Sequence, residues 1–157
     1  MVYTKIVSAK EMNFTKIASQ ANISPHLISV SDVGNNRYEL KIEEYPYMLA
    51  DMPNRKIYES KIIDLVRKLH SYGIFHGDIS EENIVIDPDT NDIRLIDFGL
   101  SQFISDINII SYEEYLENPE LAPSYCGERS DNPELFPSSL SDVLELEINE
   151  VKWLCSH

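Results

Sequence analysis

Two cysteines, Cys126 and Cys155, in a chain of 157 residues are too few for a disulfide framework, which points to a reducing, cytoplasmic compartment. No apolar run approaches the roughly 20 residues of a membrane-spanning helix, and the N-terminal stretch lacks a signal-peptide core, so no membrane is expected as a partner. Basic residues are scarce: 13 Lys and Arg stand against 27 Asp and Glu, for a formal charge of −14. Direct binding to nucleic acid needs clustered cations to neutralise phosphates, so that class is disfavoured. The four histidines show no paired spacing, which argues against a zinc site. The five glycines are scattered and no Gly-x-Gly-x-x-Gly occurs, so no glycine-rich phosphate-covering hairpin is expected.

What is present suffices for one domain: 43% of residues are hydrophobic, enough to build a core at this length. The acid-rich stretches 113–120 and 145–150 read as solvated faces, or as a field that steers a basic partner protein toward the surface.

The most informative segment is His76-Gly77-Asp78-Ile79-Ser80-Glu81-Glu82-Asn83, followed by Ile96-Asp97-Phe98-Gly99-Leu100. It offers three oxygen-bearing side chains, Asp78, Asn83 and Asp97, on two loops. Between them, Ile84-Val85-Ile86 and Ile93-Arg94-Leu95-Ile96 are β-rich runs joined by residues 87–92, dense in turn formers. Phosphoryl transfer needs this set: one carboxylate to orient and deprotonate a hydroxyl, and an amide and a second carboxylate to hold magnesium on nucleotide phosphates. Upstream, 55–72 reads as one helix. Tyr58, Ile62, Leu65, Val66 and Leu69 recur at three- and four-residue spacing, and Tyr72-Gly73 ends the run.

Asp78 and Asn83 stand five apart and Asp97 follows nineteen residues after Asp78, which matches H-x-D-x-x-x-x-N and D-F-G. The sequence resembles the protein-kinase-like family. It is most similar to the small atypical kinases of the KEOPS tRNA-modification complex and RIO type, and to short kinase-like proteins of large DNA viruses. The resemblance implies an α+β fold over 1–157, with a small-lobe remnant at 1–50 and a reduced, mainly helical large lobe at 51–157. It also implies ATP and magnesium as cofactors, with Asp78 and Asn83 catalytic and Asn83 and Asp97 on the metal. Gly77 departs from the arginine of conventional kinases, so no cation is ready for a phosphorylated activation loop. Ser80 stands where conventional Ser/Thr kinases carry a lysine.

On the N-terminal side, Lys5 falls at the position of the ATP-phosphate lysine, on a strand over 2–7, and Glu11 at that of its helix partner. Only six residues separate them, a short connection for a facing pair, so the alternative is that Lys5 is a solvated strand-edge lysine and Glu11 a first-turn acid favoured by the helix dipole. Residues 37–43 alternate as a strand, and 44–49 is where adenine should be received. After D-F-G, 101–110 reads as an activation segment with apolar anchors at Phe103, Ile104, Ile107, Ile109 and Ile110. Either Pro119-Glu120 or Pro133-Glu134 is placed to end it. A final helix opening near Ser141 carries the stripe Leu140, Leu144, Ile148, Val151 and Cys155, widened by Val143 and Leu154. Asp142 there is either the aspartate that buttresses the catalytic loop or a helix N-terminal acid.

Three functions follow: an ATP- and magnesium-dependent Ser/Thr protein kinase with a protein substrate, a pseudokinase or decoy that occupies another kinase or its complex, and a small-molecule kinase. The D-F-G ending and the lack of a large helical insertion disfavour the last.

Overall fold

Tyr3, Lys5 and Val7 alternate with Val2, Thr4 and Ile6, giving the first strand, β1 (Val2–Ser8), one covered face and one exposed face. In the computed structural model, which describes residues 1–121, 134 and 136–157, β1 runs directly into α1 (Ala9–Gln20). Ser8 caps that helix, its Oγ accepting the Glu11 N–H at 3.2 Å. Two further strands, β2 (Leu27–Gly34) and β3 (Arg37–Glu43), form a hairpin whose Asn35 and Asn36 both hold positive φ, at 57° and 58°. The sheet order is β1-β3-β2, all antiparallel, so β1 lies at an edge.

A short strand, β4 (Tyr47–Met48), leads to a 3-10 turn at Arg55–Tyr58 and then to α2 (Glu59–Ser71). The single helix expected over 55–72 therefore begins as a tighter turn, while its buried residues Ile62, Val66 and Leu69 follow the expected stripe. Next come β5 (Ile74–Phe75), β6 (Ile84–Asp87), β7 (Asp92–Leu95) and β8 (Gln102–Phe103). β6 pairs with both β4 and β7, and β5 pairs with β8. The helices α3 (Tyr112–Glu117) and α4 (Leu140–Cys155) complete the described elements.

One core joins the two parts: Phe14 and Ala18 of α1 meet Ile62, Val66 and Leu69 of α2, Ile84 and Leu95 of the hairpin, and Ile148 and Val151 of α4. Fully burying each Leu, Ile or Val contributes about 1.5–3 kcal/mol, so this cluster fixes how the cleft walls sit. A second cluster, Val7, Met12, Leu40 and Ile42, seats α1 on the sheet.

Two expectations need correction, and the two readings of Asp142 resolve to one. The buried face of α4 is Val143, Glu147, Ile148, Val151, Leu154 and Cys155, whereas Leu140 is 40% exposed. Of the anchors expected after D-F-G, Ile109 is 37% exposed and is not one, whereas Phe103, although 38% exposed, pairs with Ile74 and packs its ring on the buried Phe14 at 4.8 Å. Asp142 is an exposed N-terminal acid, its Oδ2 accepting bonds from the Ser138 N–H and hydroxyl, which hold its carboxyl below the usual range. Cys155 is a buried free thiol, pushed up by burial. Pro119-Glu120 lies in a 3-10 turn, while Cys126 and Pro133 lie outside the described residues. No helix among the described residues is long and apolar enough to cross a membrane.

Candidate active site

The loop carrying Asp78 is built on a buried histidine. The His76 ring makes two bonds that select one tautomer: Nε2–H donates to the Ile96 carbonyl at 2.9 Å, and Nδ1 accepts the Asp78 N–H at 3.1 Å. The edge of the ring meets Phe98, with centroids 5.1 Å apart. Behind this loop stands Glu147, 5% exposed. Its Oε1 accepts the His76 N–H at 3.0 Å and the His70 Nε2–H at 2.8 Å, and its Oε2 accepts the Gly77 N–H at 2.8 Å. A carboxylate this deep needs such donors, because burying it unpaired would cost far more than the bonds return.

Gly77 explains itself locally. Its φ is +87°, and a Cβ there would collide with the Leu100 backbone carbonyl oxygen. Arginine cannot stand at that position in this backbone.

Asn83 turns back on Asp78: its Nδ2 donates to the Asp78 carbonyl at 2.9 Å and to Asp78 Oδ2 at 3.0 Å. The Asn83 N–H bonds the Ser80 carbonyl at 3.1 Å, and the Asn83 carbonyl accepts the Ile96 N–H at 2.9 Å, tying the two motif loops together. Glu81 is fixed by Arg55 at 2.6 Å, and the buried Ser101 hydroxyl donates to the His76 carbonyl at 2.6 Å.

Across the cleft, Lys5 Nζ reaches Glu11 Oε2 at 2.6 Å and Asp97 Oδ1 at 3.2 Å. Lys5 is therefore not a lone solvated lysine, nor Glu11 only a helix-terminal acid. Six residues suffice because β1 passes into α1 without a loop, so Lys5 on the covered face and Glu11 in the first turn meet around Ser8. Burial opposes the Lys5 charge, but the Glu11 and Asp97 carboxylates outweigh it and raise its pKa. Burial likewise opposes the Asp97 charge, yet the Gly99 N–H and Lys5 hold its carboxyl below the usual range. Asp97 adopts φ 64°, in the left-handed region.

Beside this cluster lies a cavity of about 300 Å³, walled by residues 43–48 on one side and by Tyr3, Val85 and Ile96 on the other. The segment expected to receive adenine thus forms its wall, except Leu49, which is fully buried. The volume sits at the lower end of small-ligand sites.

Asp97 and Asn83 offer hard oxygen donors, and among the described residues no bond is made to Asn83 Oδ1. No group of three His, Cys, Asp or Glu able to hold a metal occurs among the described residues. Two protein oxygens fit magnesium, which keeps waters and phosphates as its other ligands, better than a metal needing a full protein cage.

The model of the protein kinase domain family matches residues 7–128, more than half of the chain. The chain belongs to the protein kinase family. A probable serine/threonine-protein kinase, the KIN1 homolog of Encephalitozoon cuniculi, is 29% identical over 153 residues, covering 91% of this chain and 25% of that protein. Casein kinase II subunit alpha' of Saccharomyces cerevisiae is 33% identical over 78 residues, 48% of this chain and 23% of the relative. The chain thus spans about a quarter of the length of these kinases. Among solved structures, the Cydia pomonella granulovirus kinase PK-1 superposes with a TM-score of 0.65 at 14% identity, over 99% of this chain and 59% of that one.

Within this kinase fold, the residues missed in the sequence are Glu147 and His70. A signal for Glu147 did exist: Val143, Glu147, Val151 and Leu154 recur at helical spacing, and an acid inside an apolar stripe demands donors. Nothing in the sequence marked His70, whose partner lies 77 residues away.

Proposed function

We propose that the chain is an ATP- and magnesium-dependent phosphotransferase acting on protein serine or threonine. The observation that carries this reading is the pairing of Lys5 with both Glu11 and Asp97, in a fold that also fixes Asp78 against Asn83. Lys5 holds nucleotide phosphates, and Glu11 keeps its ammonium in place. Asn83 Oδ1 and the Asp97 carboxylate hold magnesium, which when bound neutralises charge on the phosphates. Asp78 uses Oδ2 for Asn83, so Oδ1 is left to orient the attacking hydroxyl and accept its proton. Ser80 supplies no cation to the transferring group. The charge of −14 favours a basic protein as substrate or partner.

The test is label transfer from γ-labelled ATP to histone as a basic probe. Wild-type protein should transfer label, and Asp78→Asn should abolish transfer while nucleotide binding stays. Full activity in purified Asp78→Asn would refute the role of Asp78.

A second reading, a pseudokinase or decoy that occupies another kinase or its complex, is favoured by one observation. Among the described residues nothing pairs with the outer edge of β1, and the adjoining Lys5 and Asp97 side chains are 28% and 42% exposed. An open strand edge is a template for a partner's strand. Absence of transfer together with absence of Mg-ATP binding would select this reading.

A further inference from the structure

Two further cavities share no lining residue with the 300 Å³ cavity or with the Lys5 cluster. One, of about 380 Å³, lies between α2 and the β6–β7 turn; the other, of about 580 Å³, lies between α1 and β2. Asn22, just beyond α1, borders both, so they adjoin as parts of one surface. Cations reach that surface from three elements: Lys16 of α1, Lys61 and Lys68 of α2, and Arg94 of β7. Lys61 and Lys68 stand two turns apart on one helix face, and Asp64 lies at pairing spacing from each. Yet among the described residues no ion pair joins them, and the ammonium groups of Lys16, Lys61 and Lys68 make no bond. Arg94 bonds the Ile93 carbonyl at 2.8 Å and lies over the Tyr45 ring, 5.9 Å from its centre, without a carboxylate partner. Acids are not in short supply, since 27 stand against 13 bases, and Lys5, Arg55, Lys56 and Arg67 each have one.

Four cations without carboxylate partners, converging on one surface of an otherwise acidic chain, are placed to receive carboxylates from outside. We propose that this surface docks an acidic polypeptide segment that also carries apolar side chains. Ile28 and Val30, 48% and 36% exposed, and the partly buried Leu65 supply the apolar part of the wall. A nucleic acid fits less well. No Phe, Tyr or Trp lines either cavity to stack on a base, and Asp64 and Asp92 on the wall oppose a continuous row of phosphates. A polypeptide can instead set its carboxylates against the cations and its apolar side chains against Ile28, Val30 and Leu65. The rest of the chain repels such a segment, but charges beyond about 8 Å are largely screened at physiological ionic strength, so the nearby cations govern the contact. The acidic partner is distinct from the basic protein proposed for the catalytic face.

Binding is read as the fluorescence anisotropy of a labelled synthetic peptide of glutamates interspersed with leucines. No nucleotide is added, so the result is independent of the ATP-binding reading. Wild-type protein should bind the peptide, and the double variant Lys61→Glu, Lys68→Glu should weaken binding roughly tenfold or more. Lys152 is an exposed cation of α4 outside this surface, and Lys152→Glu should stay within about twofold of wild type. A carbodiimide, which takes up the water lost as a carboxylate and an amine form an amide, should couple the peptide to Lys16, Lys61 or Lys68. That mapping decides the matter should the double variant fail to fold. No binding at millimolar peptide, equal weakening by Lys152→Glu, or coupling confined to other lysines would overturn the proposal. A single-stranded oligothymidylate that displaces the peptide more effectively than unlabelled peptide does would overturn it in favour of nucleic acid. Self-association of the chain that the double variant abolishes would overturn it in favour of a second copy.

Discussion

Asp78 and Asn83 sit on a loop whose backbone ends on a buried carboxylate, whereas Lys5 stands on an edge strand and is held by two partly exposed ion pairs. The first arrangement is built from bonds hidden from water, where an unmade partner is expensive. The second is built from charges that water and salt can screen. The loop side is therefore fixed before any ligand arrives, and the strand side depends on its ligand to complete it. On the proposed function, the site would be preorganised for the hydroxyl that receives the phosphoryl group more firmly than for the nucleotide that supplies it.

Removing Glu147 should do most to break this contrast. Glu147→Leu strands the N–H groups of His76, Gly77 and His70, and should cost about 3–5 kcal/mol of stability in urea denaturation. A smaller loss, about 2–3 kcal/mol, is expected of Gly77→Ala, which combines a positive φ with the Leu100 carbonyl collision. Lys5→Ala should change stability by less than about 1 kcal/mol, because its ion pairs are part-exposed, yet weaken Mg-ATP binding roughly tenfold or more. Equal stability losses for Glu147→Leu and Lys5→Ala would erase the distinction between the two sides.

The smallest effect is on pH. Asp97 is held below its ordinary value of 3.8, so its contribution is present above that value and fades as pH falls through the lowered one. Lys5 is raised above 10.5, so its contribution is full below that value and fades as pH rises through the raised one. The stability difference between wild type and Lys5→Ala should therefore stay flat between about pH 5 and pH 9 and narrow outside that window. A steep change near neutrality would show that another group governs the cluster.

Much of the loop side was legible in the sequence because its signals are local. Asp78, Asn83 and Asp97 are placed by spacing within one hairpin unit, and the strands between them announce themselves by β-branched runs flanking a turn. Glu147 was legible as an acid inside an apolar helical stripe, but the groups it bonds were not, because they lie 70 or more positions away. Asp142, the acid that helix-start rules pick out, is satisfied by its own neighbour Ser138, whereas Glu147, five residues further in, faces the core. On the strand side, the Lys5–Glu11 pair was left open because sequence separation alone does not tell whether a strand enters a helix through a loop or without one.

The most direct test of the account is calorimetry of Mg-ATP with wild-type protein and with Asp97→Ala. The account predicts magnesium-dependent binding by the wild type that Asp97→Ala loses. Wild-type protein that takes up no nucleotide at millimolar Mg-ATP, or Asp97→Ala that binds as well as wild type, would contradict it.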